Sequence, residues 1–478
     1  MAVKANSTPW LKIFGADATG ATSRERAATS SIKFVRSQDE LGVWNPSSTG
    51  RVFTAQEALL RFGEERLMEV WLDGSAILPS APAEPAKTLR ERREDLGLTQ
   101  TDLSRYVGLA IEVIAKAESS DYTSPIYDLS KIAMALGLDD DILGVKPGAN
   151  GDESLAIRLK SWRQQEGTKP ATIAKLSAIT WIVATQCRLQ QLVSPYRNPL
   201  AEFVRSDDYG DSFYPVWDVA RDLALKTRRL LGFTETEPIG SLRELCHRLQ
   251  IPLVHAELPS TIAGATLATG ETRGVVVNIN GNNNNVWVQR ATVAHELGHL
   301  LWDPKESLQS LVVDTLEQIE KIDYGRNQID WIEPRANAFA VELLAPQSAI
   351  RSYTGSLDTS DYVAIAQAIR ANMEQFGLSA TAMHYHLWNA YNRAFALDQI
   401  PFIEPSPTEE WKAAEQFTDD YFVIRETPIE RRGEFAGIVA RAERAKWLSE
   451  ETAAFYLGAS VEEYRNAASQ IEELFHNS

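Results

Sequence analysis

Two histidines four residues apart sit in the stretch Gln289-Arg-Ala-Thr-Val-Ala-His295-Glu-Leu-Gly-His299-Leu-Leu-Trp302. On a helix that spacing puts both imidazoles on one face, a turn apart, as two cis ligands of one metal ion require. Glu296 lies about 100° further round the helix. From there its carboxylate can take a proton from an attacking water without filling a ligand position. The chain has seven histidines in 478 residues. A chance pair at this spacing is expected roughly 0.1 times, and a Glu directly after the first lowers that to the order of 0.01. The plain alternative is a pair of helix-face histidines that only make hydrogen bonds.

Two imidazoles do not complete a catalytic zinc site, which takes three protein ligands and a water. Downstream, Asp330-Trp-Ile-Glu-Pro-Arg-Ala-Asn-Ala-Phe-Ala-Val-Glu-Leu-Leu-Ala-Pro346 has the helical spacing to supply the third. Ala336, Phe339, Ala340, Leu343 and Leu344 form an apolar stripe that would pack on the His helix. Glu333 starts this helix one turn before the stripe, with Glu342 and Asp330 as lesser candidates. A carboxylate at a helix N-terminus is also favoured by the macrodipole alone, which is the structural reading of Glu333. For the developing oxyanion, His384, His386, Tyr324 and Tyr385 are candidate donors, each read first as a packing or surface residue. Cys187 and Cys246 form no Cys-x-x-Cys motif and read as buried small hydrophobes.

Residues 217 to about 392 resemble the ImmA/IrrE-type metallopeptidases. The matching stretches are His295-Glu-Leu-Gly-His-Leu-Leu, Glu333-Pro-Arg-Ala-Asn-Ala-Phe-Ala-Val-Glu-Leu-Leu-Ala-Pro346 and Phe376-Gly-Leu-Ser-Ala380 before a closing helix. Upstream, Pro238-Ile-Gly-Ser-Leu-Arg-Glu-Leu and Ile251-Pro-Leu resemble the family's first helix and first strand. The resemblance implies that His295, His299 and Glu333 hold Zn2+ and that Glu296 is the catalytic base. It also implies a peptidase that cleaves or inactivates a partner repressor.

A second resemblance lies upstream. Leu89, Leu96, Leu98, Leu103, Val107, Ile114, Leu129, Ile132 and Leu136 pattern short amphipathic helices, with Gly97 and Gly108 at the turns. The run from Leu98-Thr-Gln-Thr-Asp-Leu103 to Glu118 is similar to the XRE (Cro/cI-like) helix-turn-helix family, and Gln100, Arg105 and Lys116 are its candidate DNA contacts. The stretch that should read bases is Ala110-Ile-Glu-Val-Ile-Ala115, with Lys116 its one base. Residues 88–138 hold six Lys+Arg and eight Asp+Glu, so 6 − 8 = −2. A net acidic module with an apolar reading stretch is a poor phosphate ligand. DNA binding therefore stands beside dimerisation, as a homodimer, or capture of a partner repressor.

The whole chain has 48 Lys+Arg against 65 Asp+Glu, a balance of −17, so its surface repels polyanions and nucleic acid would need a local basic patch. Hydrophobic residues at 44% and charged at 24% exclude a disordered or fibrous chain. No run reaches the roughly 18 apolar residues of a membrane span. The first residues show no signal-peptide pattern, so a cytoplasmic protein with no membrane partner is expected. The segments are 1–78, unassigned and opening a helix after Thr54; 79–87, a Pro-rich linker; 88–145, the XRE-like module; 146–215, a helical connector; 216–392, the peptidase-like domain; and 393–478, a helical C-terminal region. Within the last, Leu448 to Tyr464 shows two short helical patterns around Gly458 and reads first as a packing element, second as another helix-turn-helix.

The expected fold is mixed and mainly α: an XRE-like helix bundle joined to an α+β zincin-like peptidase domain built round the HExxH helix. The expected function is a zinc-dependent, site-specific endopeptidase of a regulatory, toxin–antitoxin or phage-defence system. It would cleave a repressor or antitoxin encoded nearby. The alternative is a helix-turn-helix regulator or toxin whose metal site is structural and which acts by binding.

Overall fold

Short strands and capped helices build the N-terminal part of the described chain. The computed structural model describes residues 10–78, 84–121, 123–139, 143, 169–194, 199–203, 216–269, 272–303, 311–315, 332–401, 406–415 and 422–476. It divides into two units, 1–196 with 421–478, and 197–420.

In the first unit, β1 (Lys33–Arg36), β2 (Glu40–Val43), β3 (Arg51–Thr54) and β4 (Ser75–Ile77) form an antiparallel sheet in the order β3-β1-β2-β4. Runs of three or four residues carry too little alternation to show in sequence, which is why 1–78 reads only as mixed. Thr54 ends β3 and caps α1 (Ala55–Asp73): its hydroxyl accepts from the Glu57 N–H while the Glu57 carboxylate returns to the Thr54 N–H. Ala58, Phe62 and Leu67 share one core with Phe34, Leu41 and Phe53 of the sheet.

Next come α2 (Glu84–Asp95), α3 (Gln100–Val107), α4 (Ile111–Ala117) and α5 (Ile126–Ala135). α2 begins inside the stretch expected as a linker, because Pro85 falls in the first turn, where a missing N–H costs nothing. Thr99 caps α3 together with Asp102, and Gly108, at φ 69°, turns the chain into α4. Of the expected 146–215 connector, the described part is mainly α6 (Pro170–Val193). It is buried on nearly every face, as a helix apolar all round must be.

The second unit contains α7 (Val216–Leu230), α8 (Leu242–Arg248), β5 (Leu253–Ala256), β6 (Ile262–Thr269), β7 (Thr272–Asn278), α9 (Val286–Trp302), β8 (Leu311–Thr315), α10 (Ile332–Leu344), α11 (Gln347–Thr354), α12 (Tyr362–Phe376), α13 (Ala380–Ala390) and α14 (Glu409–Glu415). Its sheet runs β5-β7-β6-β8, with β5 parallel to β7 and the other pairs antiparallel. α9 lies on β6 and β7, and α10 packs against α9. Trp287, Val293, Leu297 and Leu300 of α9 share a core with Phe339 and Leu343 of α10, so the apolar stripe sits where its spacing put it. The unit runs past residue 392, because α14 is pinned to the α8 and α9 region through Glu415.

The chain then returns to the first unit as α15 (Glu434–Arg444), α16 (Glu450–Leu457) and α17 (Val461–His476). This part repeats the turns of α2, α3 and α4. Ser449 caps α16 as Thr99 caps α3, both helices have eight residues, and Gly458 and Gly108 share φ 69° and ψ 27°. In each copy the next helix starts three residues after the glycine. No described helix is long and apolar enough to cross a membrane.

Candidate metal centre

The helix that carries the histidines is fixed at its first turns. The Asn285 side chain accepts from the Trp287 N–H as N-cap. Arg290, fully buried, donates to the carbonyls of Ile239 (2.7 Å), Gly377 (3.1 Å) and Gly240 (3.2 Å) and pairs with Glu415, while Trp411 lies 4.3 Å over its guanidinium. One side chain thus ties α9 to the start of α8, the end of α12 and α14. Two glycines let neighbours approach. A Cβ on Gly298 would meet the Phe339 ring at 2.9 Å, so α10 needs the bare backbone there. A Cβ on Gly264 would lie 2.6 Å from Glu296 Oε1, so β6 can border that carboxylate only as glycine.

His295, His299 and Glu333 converge, with their ligand atoms all within 4.8 Å of one another. The two Nε2 atoms are 3.0 Å apart, and Glu333 oxygens lie 3.4 Å from His295 Nε2 and 3.6 Å from His299 Nε2. Behind the rings, His295 Nδ1–H donates to Asn337 Oδ1 (2.9 Å) and His299 Nδ1–H to Asp303 Oδ2 (2.8 Å). With Nδ1 carrying the proton, each Nε2 presents a lone pair. The two Nε2 atoms and the half-buried Glu333 carboxylate face one another, where one cation could be held by all three. The residues fit a metal ion, and two imidazoles with one carboxylate are a donor set known for catalytic zinc. Asp303 also accepts from Arg335 on α10, which links the two ligand helices behind the site. Burial works against the charge on Glu333; when the rings are protonated, the hydrogen bond and charge of His295, with the charges of His299 and Arg335, outweigh it and hold the carboxyl below its usual range. Glu296 is bordered by β6, where Thr266 donates to its Oε2 at 2.6 Å.

Of the lesser candidates, Glu342 is buried and accepts from the Gln347 N–H instead of joining the cluster. Asp330 and Tyr324 lie outside the described residues. His386 donates to the Ala345 carbonyl (2.6 Å) and braces the end of α10, Tyr385 is exposed, and His384 is half-buried with its pKa lowered by burial. Cys246 is buried as expected, whereas Cys187 is only half-buried because it sits near the end of α6. Sequence reasoning missed Asn337, Asp303, Arg335, Thr266 and Gly264. Asp303 and Asn337 each follow a ligand by one helical turn, and that spacing was the available signal.

In the helix-turn-helix, Arg93 and Glu118 form a buried pair at 2.6 and 2.8 Å, and Gln100 donates to the same carboxylate at 2.9 Å. Arg105 and Lys116 are exposed, as are Ala110, Ile111, Glu112 and Ala115.

Two family models match the chain: helix-turn-helix over residues 89–143, and the IrrE N-terminal-like domain, a peptidase family, over 248–387. No curated protein matches it. The second match spans both ligand helices and the whole β5-β7-β6-β8 sheet, so residues 248–387 are similar to the IrrE N-terminal-like domain and residues 89–143 to a helix-turn-helix.

Proposed function

We propose that this protein is a zinc-dependent, site-specific endopeptidase that cleaves a partner repressor or antitoxin in the cytoplasm. The observation that carries the reading is the convergence of His295 Nε2, His299 Nε2 and Glu333 beside Glu296. When bound, zinc would lower the pKa of water toward neutrality and polarise the scissile carbonyl. Glu296, held by Thr266 and set one residue beyond the ligand face, takes the proton from the attacking water and delivers it to the leaving amine. Asn337 and Asp303 keep both imidazoles in the tautomer that offers Nε2. The helix-turn-helix brings the peptidase to its partner. Its Gln100 is spent on Glu118 and its exposed α4 face is Ala110, Ile111, Glu112, Ala115 and Lys116, which favours a protein over phosphate.

The test is metal content and partner cleavage in parallel. Purified protein carries about one zinc per chain, and Glu296→Gln keeps the metal and the fold but fails to cut a co-expressed neighbouring helix-turn-helix protein. A Glu296→Gln strain that behaves like wild type would sink the peptidase reading.

A further inference from the structure

The ligand helix α9 is held at both ends. In its last turns Trp302 Nε1–H donates to Thr227 Oγ1 at 2.9 Å, and His299 is tied to Asp303. In its first turns the hold is Arg290, about one and a half turns before His295 and Glu296. Among the described residues, its acceptors are backbone carbonyls and one carboxylate, Glu415, which lies outside the family match of 248–387. Carbonyls hydrogen-bond a guanidinium but do not neutralise it. Burial works against the charge of Arg290, and Glu415 is the charge that opposes it. Glu415 is itself fully buried, and it accepts from the Leu242 N–H at 3.0 Å and the Arg243 N–H at 3.2 Å. Its helix, α14, has seven residues, too few to persist on propensity alone. Glu409, Glu410, Lys412 and Ala413 are exposed, so Trp411 and Glu415 seat it. The Trp411 indole N–H donates to the Glu374 carbonyl at 2.8 Å. A Cβ on Gly377 would meet Arg290 Nε at 2.7 Å and Trp411 Cη2 at 3.0 Å, so the two side chains fill the space before that glycine.

We propose that α14 is a strap on the ligand helix and that Glu415 is a positioning residue for the metal centre. It touches neither metal nor substrate; by holding Arg290 it fixes the turns that lead to His295 and Glu296. The proposal rests on the metal-centre reading above. With the strap released, a buried guanidinium is left without its carboxylate. The first half of α9 then gives way, while His299 stays held from the other end. α14 is also the last described element of its unit, which ends at residue 420 before the chain returns to the first unit. Metal retention thereby depends on a segment that leads out of the domain that carries the metal centre.

The test compares the zinc-loaded full chain with its Glu415→Gln variant, which keeps the size of the side chain and removes its charge. Zinc passes to a chelator about tenfold faster, and the amides of 288–295 exchange about tenfold faster, while those of 380–390 keep the parental rate. Glu415→Asp, which keeps the charge, stays within about threefold of the parent. In an Arg290→Gln background, Glu415→Gln adds less than about twofold, because the two act as one unit. Unchanged rates in Glu415→Gln, or a full additional effect in the Arg290→Gln background, overturn the proposal. So does exchange that quickens as much at 380–390 as at 288–295, since Glu415 would then serve stability alone. If Glu415→Gln fails to fold, Trp411→Ala loosens the strap with the ion pair intact. It raises both rates about threefold, and no change in either overturns the proposal. In a parent that holds no zinc, exchange at 288–295 still decides the strap, and the peptidase reading alone falls.

Discussion

The helix-turn-helix and the metal centre both bury conspicuous polar side chains, and they spend them differently. Around Glu118 the network closes on itself: Arg93 reaches both carboxylate oxygens and the Leu98 carbonyl, and Gln100 completes the set. Charge is matched and nothing is left to bind. Around His295 and His299 the network is closed behind the rings by Asn337, Asp303 and Arg335. In front, two ring nitrogens and a carboxylate meet within 4.8 Å of one another. A motif match locates a fold, but chemistry is carried by donor atoms that converge in a set a metal ion can share.

Breaking the front of the metal centre has the largest effect. His299→Ala removes one of three ligands and should take zinc from about one per chain to none, read by elemental analysis of the purified protein. Glu296→Gln should keep the zinc and lower partner cleavage by about 10²–10⁴-fold or more, since it removes the proton carrier alone. Loss of zinc in Glu296→Gln would show that Glu296 belongs to the ligand network.

Breaking the closed network costs stability in its own unit. Arg93 and Glu118 have side chains 9% and 2% exposed, so Glu118→Ala leaves a buried guanidinium without its carboxylate. The expected loss is about 3–5 kcal/mol of local stability in α2–α4, read by native-state hydrogen exchange, with zinc content untouched. A smaller change follows behind the rings. Asp303→Ala should weaken zinc binding by about 10–100-fold, measured by chelator competition, because His299 loses the acceptor that sets its tautomer. Unchanged affinity would mean that Arg335 and packing alone orient the ring.

The sequence showed the front of the site and hid its back. His295, Glu296 and His299 lie within one helical turn, so spacing alone exposes them, and Glu333 starts the next patterned helix. Thr266 and Gly264 reach Glu296 from a strand about thirty residues upstream, and pairing of that kind leaves no local pattern. The sheet of residues 33–77 was illegible for a related reason, since its strands are only three or four residues long. α2 begins at Glu84, inside the Pro-rich stretch, because Pro85 suits a first helical turn, and Glu415, beyond residue 392, is held by Arg290.

The C-terminal helices are acidic, and at the places of Arg93 and Glu118 they carry Ala442 and Ala468, so the closed polar network is missing. Even so, α16 and α17 turn as α3 and α4 do, which assigns the geometry to the caps and the left-handed glycine. Gly108 and Gly458 test this directly. A Cβ at Gly108 meets nothing within 4 Å, and at Gly458 it meets only Pro428 Cδ at 3.4 Å and Arg431 Nη1 at 3.9 Å, both ordinary contacts. Alanine at either position therefore pays for backbone conformation alone, about 1–2 kcal/mol. Asparagine, which tolerates the left-handed region, should cost less at both. Hydrogen exchange of the flanking helices reads the two losses separately. Equal costs mean that one backbone device specifies both copies, whereas a much larger cost at Gly458 would mean that the copy without the ion pair depends on its turn more heavily.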